Sequence, residues 1–422
     1  MTVAPHFQFR NGVLHAEDVS LRELARQHGT PLYVYSRRAL RDAWEAYRTA
    51  SKDRNVLVCF GMKANSNLAV LKEFKDLGSG FDIVSGGELA RVLAVNGDPS
   101  RIVFSGVGKQ VWEMQAALKA GVKCFNVESE PELLRLSTVA KEMGVVAPVS
   151  LRVNPDVDAH THPYISTGLK ENKFGIPIDT AVQVYQRAAA LPNLEIVGVD
   201  CHIGSQITDV APYLDALGKL IELIKTLATA GITLKHLDLG GGIGIRYTDE
   251  TLLPPSVLLD NVFQALDDHG LDYLQIVLEP GRSLVGNAGV LVTTVEYLKH
   301  NDAKNFAIVD AAMNDLLRPT LYDAWHGVEA VEPRTGNQAP QVYDIVGPIC
   351  ESGDWLARGR SLRLEQGDLL AIMSAGAYAF SMASQYNTRP RAAEVMVDGT
   401  SVHVVRARET VESLYAGESV LP

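Results

Sequence analysis

The residues best equipped for chemistry in this sequence fall at the ends of short apolar runs. Lys63 stands in GMKANSN after the run Val56–Phe60, and Asp82 lies within Phe81–Val84. His202 and Ser205 stand in CHIGSQ, Gly240, Gly241 and Gly242 follow His236–Leu239, and Glu279, Pro280, Gly281 and Arg282 follow Ile276–Leu278. A partly desolvated lysine can lose its proton and form an imine with a carbonyl compound, whereas a lysine in a surface loop would not. Glycine amides approach an anion such as phosphate closely because no Cβ intervenes, although a plain tight turn also uses glycine. A carboxylate at Glu279 can keep a heteroaromatic ring nitrogen protonated, which makes the ring an electron sink for a carbanion at an amino-acid Cα. His202 can stack on such a ring and Ser205 can reach a phosphate. The ordinary alternative is that His202 and Asp82 merely satisfy neighbouring backbone.

A (β/α)₈ TIM-type barrel would bring these groups together. Strands are expected at Val56–Phe60, Phe81–Val84, Ile102–Phe104, Cys124–Asn126, Val149–Val153, Ile196–Cys201, His236–Leu239 and Ile276–Leu278. Amphipathic helical stretches separate most of them, among them Glu88–Val95, Trp112–Lys119, Pro131–Met143, Thr180–Ala190 and Tyr213–Ala230. Such barrels build their sites on the face where the C-terminal strand ends converge. An open doubly wound sheet gives the same alternation, because periodicity does not see closure. The segment between His160 and Asn172, after the fifth strand, is placed to act as a lid.

Beyond Arg282 the alternation stops. Apolar runs at Val290–Val295, Phe306–Val309, Val342–Val346, Leu369–Met373 and Val395–Val397 predict a second, mostly β domain, a sandwich or small barrel. Asp398-Gly399 predicts a hairpin into Val402–Val405, and Asn11-Gly12 another between HFQFR and VLHA. Ser20 and Glu23 have the spacing of a capping box for a short helix ending near Gly29, and Gly327–Gln341 reads as an exposed loop. The expected division is a barrel over 36–281 and a β-rich domain made of 1–35 and 282–422.

Composition narrows the partners. A net charge of −11 disfavours nucleic acid but leaves room for a small anionic substrate met by a few local arginines. The chain opens without a cationic, apolar leader, and no run approaches the roughly 18 apolar residues of a membrane span. Cys59, Cys124 and Cys201 lie in apolar runs and read as core, while Cys350 sits in the Gly- and acid-rich GPICESGD. Four cysteines are too few for a disulfide framework, so a cytoplasmic chain with reduced thiols is expected.

The motifs GMKAN, CHIGSQ, DLGGG, LEPGR, GPICESGD and AGAYAFSMASQYNTRPR, in this order, are similar to those of the diaminopimelate decarboxylases. These are a branch of the alanine-racemase-like pyridoxal phosphate (PLP) enzymes, and the likeness runs from about Pro31 to Arg391. One departure is Phe60-Gly61, where relatives more often carry Tyr-Ala. The resemblance implies that Lys63 holds PLP covalently and that Gly241, Glu279, Pro280, Gly281, Arg282 and Tyr378 help to bind it. It implies a homodimer in which the CESGD loop of one subunit completes the other's site, with Cys350 supplying the proton that replaces CO₂. An ordinary thiol has a pKa near ~8.5 and is mostly protonated at neutral pH, which suits that task. Diaminopimelate carries an ammonium and a carboxylate at its far end. The resemblance assigns the ammonium to Glu351 and the carboxylate to Arg282, Arg318 and Tyr322, with Tyr378 nearby. Arginine suits a carboxylate because its two-pronged donors match the two oxygens.

Sister decarboxylases of ornithine, arginine or carboxynorspermidine are the nearest alternative. Ornithine-type enzymes usually place aspartate where this chain has Glu351, and Arg318 would not suit a cationic tail. A non-catalytic relative that kept the fold would be expected to lack some of Lys63, Glu279, Cys350 and Tyr378, all of which are present.

Overall fold

A computed structural model describes residues 5–158, 172–336 and 339–422. The expected lid, 160–172, lies almost wholly outside the described residues. The chain divides into two compact units: one comprises Ala43–Ile245 and Thr251–Ser283, the other Met1–Asp42, Arg246–Glu250 and Leu284–Pro422.

The first unit contains eight parallel strands: β1 (Val56–Gly61), β2 (Gly80–Ile83), β3 (Ile102–Phe104), β4 (Cys124–Val127), β5 (Ala147–Asn154), β6 (Leu194–Asp200), β7 (His236–Asp238) and β8 (Gln275–Leu278). Each pairs with its successor, and Ile276–Leu278 pairs in register with Val56–Val58, so the sheet closes on itself. The open-sheet alternative is thereby eliminated. Leu57, Cys59, Val103, Cys124, Val197 and Val277 fill part of the interior. Burial pushes the Cys59 and Cys124 thiols well above their usual range, which fits packing rather than reactivity. The helices outside the barrel begin where the sequence offers a cap. Ser85 and Ser129 each accept from the backbone amide three residues on, opening Gly86–Ala94 and Glu130–Met143.

In the second unit the strand Gly289–His300 runs antiparallel to Leu32–Ser36, Leu369–Ile372 and Asn305–Val309. Leu32–Ser36 also lies parallel to Ala393–Val397, whose own hairpin partner is Ser401–Arg406. Phe7, Leu14, Leu21, Leu24, Val34, Val290, Val292, Val395 and Val397 form its core. Both glycine-marked hairpins form, with Asn11 and Gly12 at φ 50° and 81° and Gly399 at 63°.

Two local expectations need correction. The helix Leu21–His28 forms without the capping box: the Ser20 hydroxyl is buried and makes no cap, and the Glu23 carboxylate accepts from Arg26 and Gln27 rather than from the Ser20 amide. The expected loop at Gly327–Gln341 begins as a strand, Val328–Ala330, paired with Leu370–Ile372, and the following Val331 is fully buried.

Candidate active site

Lys63 occupies a single 3₁₀ turn, Met62–Ala64, immediately after β1. Its Nζ lies 2.7 Å from Asp82 Oδ2 at the end of β2; the lysine side chain is 36% exposed and the aspartate fully buried. The lysine is therefore seated in the barrel mouth rather than waving from a loop, and Asp82 answers it rather than backbone. A Cβ on Gly61 would stand 3.3 Å from the Glu279 carbonyl oxygen, so the alanine common in relatives would fit with a small adjustment.

Glu279 follows β8 and is buried. One carboxyl oxygen accepts from Asn126 Nδ2 at 3.3 Å and Ser105 Oγ at 3.4 Å. Burial, reinforced by the neighbouring Asp238, Asp82 and Asp200, drives its pKa far above the ordinary carboxylate range. Asp238, at the end of β7, is pushed up to about 7, chiefly by burial. Asp200 and Asp238 are register partners across β6 and β7, which closes an acidic cluster with Glu279. The cations that temper this cluster are Lys63 and Arg152, the latter 2.8 Å from Glu128 and 4.0 Å from Asp200. Among the described residues, Asp82 Oδ1, Asp200 Oδ1 and Asp238 Oδ2 are buried without hydrogen-bond partners.

The glycine run has two separate causes. Gly240 and Gly242 adopt φ of 65° and 110°, which L side chains avoid. Gly241 instead passes against β8: a Cβ there would come within 2.2 Å of the Glu279 carbonyl oxygen. The loop is held by Asp238 Oδ1, which accepts from the Gly240 amide, and by Tyr213, whose hydroxyl donates to the Gly241 carbonyl. The Gly241 amide donates to His202 Nδ1 at 3.1 Å. Burial first, then Arg152 and Lys63, hold the His202 pKa well below its usual value, so the ring is neutral. Ser205 Oγ accepts from Arg282 Nη2 at 3.1 Å and Nε at 3.3 Å. Glu88, after β2, is pushed up to about 7 by burial while its carboxylate accepts from the Val84 amide at 2.6 Å.

In the second unit Arg318 opens the short helix Arg318–Tyr322 and is buried, not part of a loose surface loop. Its guanidinium faces the rings of Tyr247 and Tyr322 at 5.4 and 5.8 Å. Tyr378 is half-buried with φ 53°. Cys350 is exposed with a free thiol, and its amide donates to Asn387 Oδ1 at 3.0 Å. Exposed Glu351 accepts a short hydrogen bond from the Tyr386 hydroxyl. Behind them Asp354 accepts from the Met313 and Ile349 amides, both at 2.7 Å, and anchors the loop.

Sequence reasoning passed over Asp200, Asp238, Ser105, Asn126, Arg152 and Glu88. Asp200 immediately precedes the CHIGSQ motif and Asp238 opens DLGGG, so a search for acids at strand ends would have found them.

The barrel residues fit PLP: an amine for its aldehyde, a carboxyl for its ring nitrogen, and hydroxyl, guanidinium and glycine-loop groups for its phosphate. Partnerless buried carboxylate oxygens leave the mouth short of positive charge, which a protonated ring nitrogen would supply. Residues 37–286 match the family model described as pyridoxal-dependent decarboxylase, pyridoxal binding domain. The chain is 61% identical to the diaminopimelate decarboxylase of Pseudomonas aeruginosa across 99% of both chains. It is 58% identical to that of Vibrio cholerae across 98% of both. Among solved structures, diaminopimelate decarboxylase from Helicobacter pylori complexed with L-lysine superposes with a TM-score of 0.89 at 44% identity, covering 94% of this chain and 98% of that one. The M. jannaschii enzyme in co-complex with L-lysine gives 0.94 at 36% identity, covering 100% and 99%. The chain belongs to the pyridoxal-dependent decarboxylase family and, within it, to the diaminopimelate decarboxylases.

Proposed function

We infer that this chain decarboxylates meso-2,6-diaminopimelate to L-lysine and CO₂ with PLP as cofactor, the last step of lysine biosynthesis. The observation that carries the reading is Lys63 held on Asp82 at 2.7 Å in a barrel mouth that also contains buried, electrically crowded Glu279. Lys63 would hold the cofactor through its amine, Glu279 would pair with its ring nitrogen, and neutral His202 would face the ring without adding positive charge. Gly241, Ser205 and the stretch Glu279, Pro280, Gly281, Arg282 would hold the phosphate end, Tyr378 would also reach the cofactor, and Asp82 would orient Lys63. When bound, PLP supplies an electron-withdrawing ring that accommodates the charge left at Cα as CO₂ departs.

Cys350 delivers the proton that replaces CO₂, and its exposed thiol, free of any disulfide, supports that role. Glu351 takes the distal ammonium; Arg282, Arg318, Tyr322 and Tyr378 receive the distal carboxylate. Burial of Arg318 supports selection for a distal carboxylate, since a guanidinium in a desolvated site attracts a carboxylate more strongly than one in water. The barrel, 36–281, serves the cofactor, while 1–35 and 282–422 contribute substrate and dimer contacts. The protein works as a homodimer in the cytoplasm, each CESGD loop completing the partner's site. Exposure of Cys350 and Glu351 on a loop pinned from behind by Asp354 supports that arrangement. Among the described residues no helix is long and apolar enough to cross a membrane. L-Lysine bound to the Helicobacter pylori relative is the product this reaction would yield.

The test is CO₂ release from diaminopimelate, ornithine and arginine by purified protein with added PLP. Release from diaminopimelate alone is the expected result. Comparable release from ornithine or arginine would overturn the substrate assignment.

A further inference from the structure

Arg318 has a buried neighbour to which no role has yet been given. His326 is fully buried, and its Nδ1 lies 2.8 Å from the Met373 carbonyl oxygen. A carbonyl can only accept, so this contact assigns the ring proton to Nδ1 and leaves Nε2 of the neutral ring as an acceptor. Nε2 faces Arg318 Nε at 3.4 Å, and a guanidinium can only donate. The histidine is itself fixed at both ends. Its carbonyl accepts from Arg360 Nη2 at 2.9 Å, and the Arg360 guanidinium lies over the Trp325 ring at 4.4 Å. Tyr247 meets the imidazole edge-on at 5.4 Å and 79°, with the same ring beneath the Arg318 guanidinium.

We propose that His326 is a positioning residue for substrate binding: through Nε2 it grips the Nε edge of Arg318 and aims the guanidinium at the substrate's distal carboxylate, with Tyr247 as the supporting wall. The proposal rests on the reading of Arg318 given above. The residue must combine a donor toward Met373 with an acceptor toward Arg318 at opposite ends of one rigid ring. Lysine or arginine could not do so, because neither accepts a hydrogen bond.

Replacing His326 by asparagine keeps a donor near Nδ1 but withdraws the acceptor from Arg318, whereas glutamine extends an amide oxygen to about the position of Nε2. In the PLP-loaded, full-length protein, His326→Asn should raise KM for meso-diaminopimelate about tenfold, with a much smaller change in kcat. His326→Gln should restore most of that loss. Equal KM values for the two variants, or a wild-type KM in His326→Asn, would overturn the proposal. Arg318→Ala is measured alongside. If it leaves KM unchanged, the assignment of Arg318 itself falls; if it raises KM while His326→Asn does not, only the positioning role falls. Should His326→Asn fail to fold by thermal unfolding, half-buried Tyr247→Leu carries the test. It should raise KM about threefold, and an unchanged KM would overturn the proposal.

Discussion

Two glutamates mark the difference between the units. Glu279 in the barrel is buried, accepts from Asn126 and Ser105, and shares its surroundings with Asp82, Asp200 and Asp238. Glu351 in the β-rich unit is exposed and accepts a single short hydrogen bond from Tyr386. The first is set by strands whose register cannot change without opening the barrel. The second sits on a loop secured by Asp354 and by the Tyr386–Asn387 turn. Cofactor chemistry needs an electrostatic environment fixed in advance, which burial provides. The exposed Glu351 stays within reach of solvent and of an incoming ligand. On the roles proposed above, the chain assigns cofactor binding and ammonium binding to different kinds of structure.

The sharpest way to break this contrast is Lys63→Ala. It should abolish the near-visible absorption of the PLP-loaded protein and lower kcat by at least about 10³-fold. A surviving band would remove Lys63 from cofactor attachment, and borohydride reduction with peptide mapping would show where the cofactor sits. Cys350→Ala comes next: it should keep the band yet lower decarboxylation by about 10²-fold or more. Equal turnover would take the cysteine out of the proton step. Glu351→Asp retracts the carboxylate by one methylene and should raise KM for diaminopimelate about tenfold with the spectrum unchanged. A wild-type KM would mean that the distal ammonium is held elsewhere.

The last effect is on stability rather than activity and concerns half-buried Glu88 in the helix Gly86–Ala94. Glu88 is held protonated up to about pH 7, whereas an exposed glutamate releases its proton near 4.5. The stabilisation from the bound proton is therefore complete below about 4.5 and is lost as pH rises through 7. In cofactor-free protein, Glu88→Gln should equal the parent at pH 4.5 or below and exceed it at pH 8 by up to about 3 kcal/mol. Parallel denaturation curves at both pH values would show that Glu88 does not titrate in this way.

The barrel was legible because most of its strands are apolar runs bounded by helical sequence; the short strand His236–Asp238 is marked instead by the glycine run that follows it. Leu32–Ser36 was not read as a strand, although LYVYS is apolar, because both its partners are remote in sequence: Gly289–Val292 and Ala393–Val397. The helix Arg37–Ser51 was missed because it opens on two arginines with no acid in its first turn. In the site, Lys63, His202 and Glu279 stood out by residue type at strand ends. Asp200 and Asp238 become meaningful only when β6 and β7 lie side by side, a fact that closure supplies and local sequence does not. His326 gave no signal at all, since its task depends on Met373 and Arg318 together.

The central strand Leu32–Ser36 has a consequence for how the molecule is made. It leaves the ribosome before the barrel, but the strands on either side of it, Gly289–Val292 and Ala393–Val397, leave after it. The barrel can therefore close while translation continues, whereas the β-rich unit must wait for nearly the whole chain. Throughout that interval the LYVYS segment has both strand edges unpaired.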